Sequence, residues 1–173
     1  MITGKHIAET AINSGLIGTP YSEMDCQAFV EVILKKAGLK IINYRGSNHM
    51  WRELVDDRQK VAGNEVPAGA LAFIVKFDGG EVKRGYHDQM GNAVHVAIAL
   101  GDGRVMESTA GGVQFSSLKR FTDFGLIKNV DYDYGGDEDE GEGCPDAKST
   151  ILNALAVIAN RLMELEDYVY ENL

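Results

Sequence analysis

A cysteine placed at the head of a helix is a candidate nucleophile. Cys26 follows Asp25 and opens the segment CQAFVEVILKKAG, where Phe29, Val30, Ile33, Leu34 and Ala37 make one apolar stripe. Lys35 and Lys36 suit the negative end of the helix dipole and Gly38 supplies the stop. A thiol in the first turn meets unpaired backbone N–H groups and the positive end of the dipole. Both favour the thiolate, the form that attacks a carbonyl carbon. The competing reading is a buried structural cysteine. A general base is offered by His95 in AVHVAIAL, which alternates in period two. Val94, Val96, Ile98 and Leu100 point one way, and Ala93, His95, Ala97 and Ala99 the other. A polar residue on the neighbouring strand could hold the second ring nitrogen, completing a nucleophile, base and orienter.

The elements that must position these groups follow from the same patterns. Thr3 caps a short helix carrying Ile7, Ala8, Ala11 and Ile12, stopped by Gly15. LIGTPYSEMD reads as a loop, and Ser47 caps a third helix around Met50, Trp51, Leu54 and Val55. After Pro67 and Gly69 the period changes. LAFIVKF is a strand, a long polar loop runs to about Asn92, and AVHVAIAL, RVMEST, GGVQFSSL and FGLIKNV are further strands. Helices first and an antiparallel sheet afterwards predict an α+β domain.

These residues resemble the NlpC/P60 cysteine peptidases, which cut bacterial cell-wall peptides. GTPYSEMDCQAFVEVILKKAGL is similar to that family's nucleophile segment, with Pro-Tyr before Asp-Cys and the Cys opening a helix that ends in Gly. PAGALAFIV followed by HVAIALGDGRVMESTAGGVQFSSL is similar to its sheet, and the likeness spans about residues 3 to 130. GSNHMWREL and DGGEVKRGYHDQMGNAVH look like the versions carried by phages and prophages of Gram-positive bacteria. The resemblance implies a papain-like NlpC/P60 fold, and no cofactor is expected. It also implies Cys26 as nucleophile, His95 as base, Tyr21 at the oxyanion site with the Cys26 backbone N–H, and a structural role for Asp25 at the helix start. The chain departs from the family pattern twice. Ala70 stands where an acidic residue is common, and Glu107 stands where the third catalytic residue is usually His, Asn or Gln. A carboxylate there can still accept the imidazole N–H, fix the tautomer and raise the basicity of His95.

Hairpin parity tests Glu107 separately. A three-residue turn Gly101-Asp102-Gly103 pairs Leu100 with Arg104 and Ala97 with Glu107, placing Glu107 on the face of His95. A two-residue turn, Asp102-Gly103, puts Ser108 there instead. The three-residue turn is preferred because Gly103 suits a left-handed bulge position. Trp51 and His49 are candidates for the cleft rim, Trp51 having the core as its alternative. His87 and Asp88 read as surface loop before substrate or metal ligands. With no CxxC or HExxH spacing, no metal is expected.

The chain has 173 residues, 45% hydrophobic and 25% charged, with net charge -9. Eight of those charges fall on the acidic residues of 131–146, which contains no Lys or Arg, so the rest of the chain is close to neutral. No basic face favours nucleic acid, and no run of 18 or more apolar residues predicts a membrane span. The N-terminus carries His6 and Glu9 where a signal peptide needs an apolar stretch, so synthesis in a cytoplasm and action at a cell wall after release or delivery are expected.

The expected organisation is a catalytic domain over 1–130, an acidic Gly-rich linker over 131–146 and a C-terminal helix over 147–173. Ile151, Leu155, Ile158, Leu162, Leu165 and Val169 form a heptad seam in that helix. The seam predicts a coiled coil and a homo-oligomer. Cys144, in the linker, reads as incidental. The functional expectation is a lysin-like hydrolase of peptidoglycan peptides; the alternative is a catalytically silent scaffold or tail component assembled through the coiled coil.

Overall fold

A computed structural model describes residues 1–62, 65–77 and 86–132. The C-terminal helix, Cys144 and all but the first two residues of the acidic linker lie outside the described residues. Among the described residues three α-helices precede the sheet: α1 (Gly4–Ile12), α2 (Cys26–Lys36) and α3 (Ser47–Glu53). The strands are β1 (Val55–Lys60), β2 (Leu71–Lys76), β3 (Asn92–Ala99), β4 (Arg104–Thr109), β5 (Gly112–Ser117) and β6 (Asp123–Ile127). Their order across the sheet is β1-β6-β2-β3-β4-β5, and every neighbouring pair is antiparallel.

The apolar stripe of α2 packs against the sheet. Phe29, Val30, Ile33 and Leu34 share one buried cluster with Leu71, Phe73, Val96, Ile98 and Met106. On the other face, small residues of β2, of β3 and just before β2 admit bulky neighbours: Ala72 and Ala97 cluster with Phe121, while Ala70 and Ala99 cluster with Phe124. The alanine-lined face therefore has its own apolar lid, and His95 belongs to it.

A bulge sets the register at the His95 end of β3. Ile74 pairs with His95 and Val75 with Ala93, so Val94 is the extra residue. The sequence pattern places Ala93 on the face of His95. The bulge moves it to the opposite face, into the cluster with Val96 and Ile98. Helix α3 holds this irregular backbone: Ser47 Oγ donates to the Ala93 carbonyl at 2.9 Å, and Ala93 N donates to Asn48 Oδ1 at 3.0 Å. Ser47 is thus spent on β3 rather than on capping; Gly46 occupies the N-cap of α3 without a side-chain bond.

Two other expectations change. Val55 begins β1 instead of continuing α3. The strand VDDRQK shows little apolar alternation because it is an edge strand, formed by pairing with β6. Asp131 and Tyr132, assigned by charge to the linker, are held on the folded body. Asp131 N donates to the Ile2 carbonyl at 2.9 Å, and Tyr132 Oη donates to the Gly69 carbonyl at 3.2 Å.

Gly69 has φ +79°, and a Cβ there would stand 2.1 Å from the Gly4 carbonyl oxygen. Gly69→Ala is therefore expected to destabilise the fold by more than about 1 kcal/mol, read as a lowered Tm by circular dichroism. An unchanged Tm would show that the α1–β2 approach is not tight.

Candidate active site

Asp25 builds the nucleophile end of α2. Its Oδ1 accepts from Ala28 N at 2.8 Å and its backbone is extended, the geometry of an N-cap. Cys26 is the first helical residue and is 8% exposed, so the thiol sits at the surface of the core rather than deep within it. Tyr21, half exposed, points its hydroxyl at Cys26 Sγ across 3.9 Å. Burial and the neighbouring thiol hold the Tyr21 phenol above its ordinary value, so it is a protonated donor at neutral pH.

The β3–β4 pairing, Ile98 with Met106 and Ala99 with Val105, is that of the three-residue turn, and Leu100 N accordingly donates to the Arg104 carbonyl. Glu107 consequently shares a face with His95. His95 Nε2 lies 2.6 Å from Glu107 Oε2, leaving Nδ1 for the thiol. Burial alone would lower the basicity of His95. Hydrogen bonds and charge from Cys26 and Glu107 outweigh it and raise the imidazole to about 9.

Glu107 is fully buried, and burial alone would neutralise it. His95, Ser116 and Arg120 overcome that and hold the carboxyl below its ordinary value. Arg120 closes the arrangement, its Nη2 donating to the same Oε2 that His95 meets. Sequence reasoning missed Arg120. A buried carboxylate needs a compensating cation, and LKRF, directly after the strand that pairs with β4, was the place to look for it.

These shifts link protonation to folding with opposite signs. The folded pKa of His95 is raised from 6.5 to about 9, so its contribution is fully present below pH 6.5 and is lost as pH rises through about 9. Glu107 is lowered, so its contribution is present above its ordinary value of 4.5 and fades as pH falls through the depressed folded value. Urea denaturation between pH 6 and pH 10 is expected to show stability falling toward the alkaline end. In His95→Gln the part of that fall due to the imidazole is expected to vanish; an identical profile in both proteins would contradict the linkage.

Two expected contact residues are corrected. Ser108 is fully buried on the opposite face of β4 and donates to the Met24 carbonyl, so it ties down the loop before Cys26 rather than facing a substrate. Trp51 is 3% exposed, packs at 5.0 Å between ring centroids on Phe73 and donates its indole N–H to the Met90 carbonyl. It is a core residue because α3 turns it inward against β2. Asp88 is engaged by Arg52 in a two-bond ion pair of 2.8 and 3.0 Å, and His87 is exposed.

A groove of about 1030 Å³ opens beside Cys26, with Tyr21, Arg45, His49 and Val94 in its walls. Gln27 of α2 also lines it and ties the segment before α3 to α2: Gln27 Nε2 donates to the Tyr44 carbonyl, and Tyr44 N donates to Glu31 Oε1. His49 accepts from Arg45 N through Nδ1 and so lines the groove as a structural support. Among the described residues no group of three or more His, Cys, Asp or Glu side chains is gathered as metal ligands, and no helix is long and apolar enough to cross a membrane.

No curated protein matches the chain significantly. Among solved structures it is similar to the NlpC/p60 domain of the peptidoglycan hydrolase SagA, at 23% identity and TM-score 0.52, covering 73% of this chain and 100% of that one. It is also similar to an NlpC/P60 family protein from Bacillus cereus, at 24% identity and TM-score 0.50, covering 69% of this chain and 40% of that one. At such identities the likeness is one of fold. The profile of the NlpC/P60 family matches residues 15–122, which contain Cys26, the histidine strand, Glu107 and Arg120. The chain belongs to the NlpC/P60 family.

Proposed function

We propose that this protein is a thiol hydrolase that cuts an amide bond in the stem or bridge peptides of peptidoglycan. The observation that carries the reading is the buried relay behind a groove-lining thiol: Cys26, then His95, then Glu107 at 2.6 Å. Cys26 Sγ attacks the amide carbonyl carbon, and the oxyanion is held by the Cys26 backbone N–H and the Tyr21 hydroxyl. His95 gives its proton to the leaving nitrogen as the C–N bond breaks, leaving a thioester and a free amine. Water then loses a proton to His95 and attacks the thioester. The C–S bond breaks, the peptide carboxylate leaves and the thiol is restored.

Glu107 orients the ring and stabilises the imidazolium without itself taking the proton. The open groove beside the thiol suits an extended substrate, and the similar domain of SagA comes from a peptidoglycan hydrolase, which supports wall peptides as that substrate. We further propose a lysin of phage or prophage type, whose heptad seam over 147–173 joins several catalytic heads and gives avidity on a repetitive wall.

Clearing of a purified Gram-positive wall suspension tests the reading. The native chain is expected to reduce turbidity and Cys26→Ala to leave it unchanged. Equal behaviour of the two proteins would overturn the enzyme reading in favour of a silent scaffold. Light scattering of the full chain at micromolar concentration is expected to give a multiple of the monomer mass of 18.9 kDa; the monomer mass would remove the oligomer.

A further inference from the structure

We propose that Arg120 is a positioning residue that sets the acidity of His95 by sharing its carboxylate partner. This deepens, and rests on, the thiol-hydrolase reading above. Arg120 ends the 3-10 turn Leu118–Arg120 that follows β5. Leu118 N donates to the Gly103 carbonyl, pinning this turn to the β3–β4 hairpin. The next residue, Phe121, is buried beside the His95 ring at 5.9 Å between centroids, and the Arg120 guanidinium lies 5.1 Å over the Phe121 ring. One short segment thus supplies both the apolar wall of the imidazole and the cation behind its partner.

The geometry is a competition for one atom. Glu107 Oε2 meets His95 Nε2 and Arg120 Nη2, and the two nitrogens are 3.5 Å apart. Two cations on one carboxylate oxygen work against each other. Arg120 adds to the hydrogen bonds from His95 and Ser116 that keep Glu107 ionised despite full burial, yet it also takes part of the oxygen's charge and repels a proton on His95. An unopposed buried carboxylate would hold the imidazolium more tightly and slow delivery of its proton to the leaving amine. Among the described residues, the charged or titratable groups acting on His95 are Cys26 from α2, Glu107 from β4 and Arg120 from the 3-10 turn. Glu107 is reached by His95, Arg120 and the uncharged Ser116 of β5. Arg120 is the one group in this set whose removal leaves nucleophile, base and carboxylate in place. Its side chain is 46% exposed, so it caps the relay from the solvent side.

The test is titration of the His95 ring by NMR in the full chain, native, Arg120→Met and Arg120→Lys, alongside kcat and KM on wall peptides. In Arg120→Met the His95 midpoint is expected to rise by about one pH unit, with kcat reduced and KM unchanged. Arg120→Lys, which keeps the charge, is expected to titrate close to the native protein. Should the methionine variant fail to fold, Arg120→Gln is read in the same way. A midpoint unmoved or lowered without the charge, or a lysine variant that behaves like the neutral one, would overturn the proposal. Because the titration needs no turnover, a native chain that fails to clear walls would defeat the hydrolase reading while the NMR result still decides the role of Arg120.

Discussion

Cys26→Ala is expected to lose wall hydrolysis by about 10⁴-fold or more, because Cys26 is the only cysteine among the described residues and the relay behind it acts as a unit. The remaining groups, the Tyr21 hydroxyl and the helix N–H, can bind a carbonyl but cannot break its amide. Loss of activity is not expected to reflect loss of the fold. The N-cap bond of Asp25 and the apolar stripe of α2 are untouched by removing one sulfur atom, so thermal denaturation of the variant is expected to stay within about 1 kcal/mol of the native chain. Release of soluble peptide, measured with both proteins at equal concentration, checks the prediction. Retention of even a hundredth of the native rate would point to another nucleophile.

Glu107→Gln is expected to lower kcat by about 10²- to 10⁴-fold, the range in which neutralising an imidazole's carboxylate partner acts. Glutamine fills the same volume, so the core around β4 stays packed, but three things change together. The amide cannot stabilise the imidazolium, it can present an N–H to Nε2 and select the wrong tautomer, and Arg120 loses its counter-charge. The pH profile separates this from a packing defect. In the native protein the alkaline limb of kcat/KM is expected near pH 9, where His95 gives up its proton, and in Glu107→Gln it is expected to move down toward 6.5. A variant that loses rate with its alkaline limb unmoved would show that Glu107 supports the fold and not the base. Arg120 acts in the opposite sense on the same limb, so the two substitutions bracket the native value.

Much of this arrangement was legible in residue types and spacing. Asp-Cys before an amphipathic stripe put the candidate nucleophile at a helix start and one histidine on an alanine-lined strand offered a candidate base, while the family resemblance supplied their roles. The glycines of the GDG turn chose between Glu107 and Ser108, because side-chain parity leaves no intermediate answer. What escaped depends on long-range pairing. The bulge at Val94 has no local signature and exists because α3 holds Ala93 from both sides. VDDRQK becomes a strand only because β6 comes back beside it. Arg120 looks like any basic residue after a strand until the full burial of Glu107 demands a cation. Trp51 and Ser108 were misplaced for a related reason: type alone does not say which way a helix or a strand end is turned.

The relay is costly to maintain, since it buries a carboxylate and most of an imidazole in a sheet otherwise filled by Val, Ile, Phe and Ala. A silent scaffold would be as stable with an apolar pair at these positions. Their presence beside a groove-lining thiol favours chemistry, and the bond broken is the most direct test. Purified peptidoglycan should be digested and its new free amino groups and new reducing sugar ends counted in parallel. Amines rising with native protein, with reducing ends flat and both flat with Cys26→Ala, is the predicted result. Reducing ends rising instead, or amines rising equally with the alanine variant, would contradict a thiol amidase built on Cys26.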